Sequence, residues 1–63
     1  MKLTLGEECL ILRRRLRLKF RQTAKLAKIS TGAIGLIERD STRIPKPTVL
    51  KYKDFLESLR DGR

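Results

Sequence analysis

Histidine and tryptophan are absent from this chain, which has one cysteine, one tyrosine, two phenylalanines and two prolines. Each shortage removes a class of function. Without histidine, a second thiol or a clustered carboxylate pair, the parts for general acid–base, nucleophilic or metal chemistry are missing. No glycine-rich phosphate loop stands in for them. The expectation is a protein that is not an enzyme and has no cofactor and no metal. The lone Cys9 sits at an apolar helical position and reads as a small core hydrophobe, and an unpaired thiol points to the cytosol. Of the three aromatics, Tyr52 and Phe55 fall on an apolar helical face, which leaves no platform for stacking RNA bases. No apolar run is long enough to cross a membrane. Met-Lys is not followed by the apolar stretch and small-residue cleavage site of a secretory signal. A cytoplasmic protein without a membrane partner is expected.

What the chain does have is positive charge. Sixteen Lys and Arg against seven acids give +9 over 63 residues, which implies an anionic partner or strong solubility pressure. Met1–Ile29 holds nine bases and two acids, and Ser30–Arg63 seven and five, so the basic field comes mainly from the first half. A chain this short buries only about 60% of its unfolded surface, enough for one domain with a small core and no large cleft.

Hydrophobic spacing divides the chain into helices. Thr4 and Glu7 form a capping box, so a first helix starts at Leu5, with Leu5, Cys9, Leu12 and Leu16 on one stripe and Leu10 and Ile11 on its flanks. A second helix runs from about Phe20 to Ala27. Lys28 and Ile29 make a turn, and Ser30 is a good N-cap for a third helix whose buried face is Ile34 and Ile37. Residues 39–47 are polar, turn-rich and bounded by two prolines, hence a loop. Pro47 suits the first turn of a fourth helix, along which Val49, Tyr52, Phe55, Leu56 and Leu59 make an amphipathic face. Residues 60–63 should fray. No segment alternates like a strand, so the expected fold is an all-α, compact four-helix domain over residues 1–63.

Residues 18–38 have the register of a helix-turn-helix, with Ala24 where the two helices cross. Further landmarks occur in order: Leu5, Gly6, Cys9, Leu12 and Arg13; Leu18 and Ala24; Ile29, Ser30, Ile34, Ile37 and Glu38; Pro47, Thr48 and Val49, followed by Tyr52, Phe55 and Leu59. This ordered set resembles the Cro-type, lambda-repressor-like (xenobiotic-response-element) helix-turn-helix family of phage and bacterial repressors, over about Leu5 to Leu59. The resemblance implies a helix-turn-helix unit at about 18–39, a double-stranded DNA operator as partner, a homodimer on a pseudo-palindrome, and the cytoplasm of a bacterial or phage-infected cell. It implies an ion pair between Arg13 and Glu38. Carried over position by position, it makes Thr31, Gly32, Gly35 and Leu36 the DNA base-facing residues.

Several positions depart from the family pattern. Lys19 and Phe20 replace a hydroxyl cap and a backbone-touching Gln. Thr23 replaces a core Leu, and Phe20 is expected to swing inward to fill that volume. Lys28 and Asp40 stand where Gly is commonest. The base-facing set itself is poor in hydrogen-bonding side chains, so affinity would rest on phosphates, with Lys19, Arg21, Lys28, Arg39, Arg43 and Lys46 as the contacts. The bland alternative is that these bases form a solvated surface. A different use of the same fold is also open: Leu10, Ile11, Leu26 and Leu36 lie off the core stripes and could bind another transcription regulator.

Overall fold

A computed structural model describes residues 2–62 of the chain. It is all-α, with α1 Leu5–Arg15, α2 Phe20–Ala27, α3 Thr31–Glu38 and α4 Lys46–Arg60, and no strand among the described residues. α1 packs on α4 and α3, and α2 packs on α3. Cys9, Leu12, Ile34, Ile37, Tyr52 and Leu56 are the buried core. Leu16, Leu18, Ala24, Ala27, Ile29, Ile44, Val49 and Phe55 pack around them. Leu5 and Leu59, expected on the core stripes, are half-buried. Burial raises the Cys9 thiol to about 11, so this cysteine stays protonated and packs as a small apolar group. Burial likewise raises the Tyr52 phenol, whose hydroxyl has no hydrogen-bond partner among the described residues.

Local chemistry sets the helix starts. The Thr4 hydroxyl accepts from the Glu7 amide while Glu7 Oε1 accepts from the Thr4 amide, both at 3.1 Å. Ser30 Oγ accepts from the Ala33 amide at 3.0 Å. Lys19 has no side-chain acceptor to offer, and Gln22 Oε1 accepts from the Lys19 amide instead, at 3.0 Å. α4 begins one residue before Pro47, so the loop is shorter than its polar composition indicates. Ile44, within that loop, is packed against the core. Arg60 belongs to the last turn of α4 rather than to a frayed end, Asp61 and Gly62 form a turn, and Arg63 lies outside the described residues.

Helix ends are where the sequence is least ideal. Helices commonly stop at a left-handed residue, and glycine adopts that conformation without a Cβ penalty. Here Arg17, Lys28 and Asp40 adopt it, with φ of 57, 60 and 57°, and only Gly62 supplies a glycine, after α4. The hydrogen bonds are those of Schellman closures. Leu18 N–H donates to the Arg13 carbonyl at 3.1 Å, Ile29 to Ala24 at 3.1 Å and Ser41 to Leu36 at 2.9 Å.

Asp40 compensates for its conformation and the other two do not. Its Oδ2 accepts from the Thr4 hydroxyl at 2.5 Å and its Oδ1 from the Gly6 amide at 2.8 Å. The carboxylate thus ties the end of α3 to the first turn of α1, where unpaired amides and the helix dipole favour an anion. Gly6 makes the approach possible, because a Cβ there would collide with the Ile37 carbonyl and the Asp40 carboxylate. Substitution by glycine therefore has opposite outcomes at two positions. Asp40→Gly is expected to destabilise the domain by about 1–3 kcal/mol, because it removes two hydrogen bonds to a charged group. Lys28→Gly, which loses no such bond and relieves the left-handed strain, is expected to be neutral or stabilising by up to about 1 kcal/mol. Urea denaturation of the two variants measures both.

Candidate nucleic-acid interface

The face in question is built around Arg13. This side chain leaves α1 and meets Glu38 at the end of α3, with Nε–Oε2 at 2.6 Å and Nη2–Oε1 at 3.1 Å. The expected ion pair is present as a two-pronged contact, with the side chains only 12% and 7% exposed. A third bond runs from Nη1 to the Leu18 carbonyl at 2.8 Å, so the same guanidinium also secures the connection between α1 and α2. The hydrogen bond to Glu38 raises the pKa of Arg13, so the guanidinium stays charged.

Phe20 does not swing inward. Thr23 is itself fully buried, its hydroxyl donating to the Lys19 carbonyl at 2.9 Å, which satisfies the polar atom without a ring over it. Phe20 stays 42% exposed, and the Arg13 guanidinium lies 4.5 Å from its ring centroid. That contact holds the ring at the edge of α3 by a cation–π attraction.

α2 and α3 are joined by the short turn Lys28–Ser30. The outer side of α3 is open. Thr31 and Gly32 are exposed, Gly35 and Leu36 half-buried. These four positions, expected from the sequence to face bases, come together with Phe20 and Arg39 around one shallow depression of about 410 Å³. A Cβ at Gly35 would meet nothing within 4 Å, and one at Gly32 only Ser30 Oγ at 3.9 Å. Neither glycine is required by the packing of the chain itself. Each nevertheless costs about 1 kcal/mol of helix stability relative to alanine.

All six expected phosphate contacts, Lys19, Arg21, Lys28, Arg39, Arg43 and Lys46, are exposed. Within residues 18–39 there are five bases and one acid, and that acid, Glu38, is engaged by Arg13. The outer surface of this unit is thus cationic.

The apolar residues named for a protein contact do not form one patch. Leu36 borders the α3 depression. Leu26, 54% exposed, borders a groove between the end of α2 and α4, with Ile29, Lys51 and Phe55. Ile11 lines a third depression, between α1 and α4, and Leu10 is half-buried. Sequence spacing could not separate these surfaces, because it does not reveal which helix covers which flank.

Sequence reasoning misplaced Phe20 and missed the contacts that Asp40 makes with Thr4 and Gly6. No helix among the described residues is long and apolar enough to cross a membrane. No known protein family, curated protein or solved structure matches this chain.

Proposed function

We propose that this chain is a small transcriptional regulator of the Cro type, a phage or mobile-element repressor that binds operator DNA as a homodimer. The observation that carries the reading is the cationic surface of residues 18–39, whose single acid is tied up beneath it. Lys19, Arg21 and Arg39 are exposed near an open α3 face, and in this reading they engage phosphates while α3 lies in the major groove. One protomer offers few contacts. Two copies on half-sites about 34–36 Å apart multiply a weak preference.

Phosphate-dominated binding has a direct signature. With six basic side chains engaged, affinity for duplex DNA is expected to fall about 10³-fold between roughly 50 and 200 mM salt. Fluorescence anisotropy measures it, and an affinity that does not change with salt contradicts the reading. Light scattering of the DNA complex tests the dimer.

The second reading, a co-regulator that binds another transcription factor, is favoured by Leu26, which stands exposed at the mouth of the α2–α4 groove. Charge removal at Arg21, Lys28 and Arg43 separates the two. It abolishes a DNA-dependent activity and spares one that Leu26→Asp abolishes.

A further inference from the structure

The floor and the rim of the α3 depression differ in chemistry, and that difference specifies what in a DNA duplex they fit. The floor is Phe20, Thr31, Gly32, Gly35 and Leu36, in which the Thr31 hydroxyl is the one side-chain hydrogen-bonding group. α3 itself, TGAIGLIE, has no Asn, Gln, Lys or Arg, so the two-pronged pairings that read adenine and guanine are unavailable to it. The rim is positive: Arg39 lines the depression, and the exposed Lys19 and Arg21 flank Phe20 in sequence.

An apolar floor inside a positive rim complements a surface with negative edges and apolar projections between them. The major groove presents that combination where pyrimidine C5-methyl groups stand between two rows of phosphates. Phe20 is suited to such a contact, being exposed yet held in place by Arg13. The bare backbone at Gly32 and Gly35, which the fold does not require, lets the groove floor come close.

Resting on the DNA-binding reading above, we infer that this face recognises the C5-methyl groups of pyrimidines, thymine or 5-methylcytosine, through Leu36, Phe20 and Thr31. Sequence preference then arises from apolar contact rather than from hydrogen bonds to base edges. Each methyl buried against the face strengthens binding about fourfold.

The test compares the native protein on four short hairpin-closed duplexes by anisotropy: alternating dA–dT, the same with deoxyuridine for thymidine, alternating dG–dC, and the same with 5-methylcytosine. Both exchanges alter the C5 substituent while leaving charge and Watson–Crick edges in place. The expected result is weaker binding to the deoxyuridine duplex and tighter binding to the methylated dG–dC duplex, by about fourfold per methyl engaged. Leu36→Ala, checked for folding by its melting curve, is expected to narrow both ratios while keeping the salt dependence. Equal affinities within each pair, with salt-dependent binding retained, overturn methyl recognition and leave DNA binding standing. Failure to bind any of the four duplexes overturns both.

Discussion

Replacing Glu38 with alanine is expected to destabilise the domain by about 3–5 kcal/mol, the usual consequence of stranding one member of a buried ion pair. A domain of 63 residues has a total stability of only about 3–9 kcal/mol. The substitution should therefore remove at least about a third of the domain's stability. Arg13→Ala should cost at least as much, because Arg13 also holds the Leu18 carbonyl and the Phe20 ring. Urea titration followed by circular dichroism gives the values. The paired replacement Arg13→Met with Glu38→Leu separates stranded charge from lost packing, since removing both charges leaves no ion without its partner. It should recover most of the stability. If Glu38→Ala melts within about 0.5 kcal/mol of the native protein, as an ordinary surface substitution does, the pair does not fix the presentation of α3.

The glycines of α3 give the second large effect, and here stability and binding move in opposite directions. Gly32→Ala and Gly35→Ala each add about 1 kcal/mol of helix stability, because the new methyl groups meet open space. The double variant should melt roughly 10 °C higher. The same methyls stand between the α3 backbone and whatever approaches it, and a steric misfit of about 1–3 kcal/mol corresponds to a loss of DNA affinity of roughly 5- to 150-fold. A more stable protein that binds DNA as well as the native chain would show that close backbone approach has no part in recognition.

Elements set by short-range periodicity were legible in the sequence. Cys9, Leu12, Ile34, Ile37, Tyr52 and Leu56 lie at helical spacings and are the buried core. Thr4, Glu7 and Ser30 are cap signals contained within one turn, and they cap α1 and α3. The left-handed Lys28 was visible because it stands where the helix-turn-helix pattern it resembles most often has Gly. What escaped was long-range or depended on side-chain direction. Asp40 bonds the amide of Gly6, 34 residues away, and no local pattern reports that contact. Phe20 seemed destined for the interior because Thr23 looked too small for the core. Burial of Thr23 with its hydroxyl satisfied removed that demand. Ile44 was hidden among polar neighbours, just before Pro45. For the interface, residue types were legible but their grouping was not. Leu26, Ile11 and Leu36 border three different depressions, and only packing decides that.

The four glycines allow one spectrum to test which face meets DNA. Gly32 and Gly35 lie on the outer side of α3, Gly6 is buried beside Asp40, and Gly62 follows α4. In a titration of the ¹⁵N-labelled protein with duplex DNA, the amide resonances of Gly32 and Gly35 are expected to shift or broaden at the lowest DNA ratios, while Gly6 and Gly62 hold their positions. Unmoved Gly32 and Gly35 resonances, with the changes falling instead on Leu26, Lys51 and Phe55 or on no residue at all, would contradict the presentation of α3 to DNA.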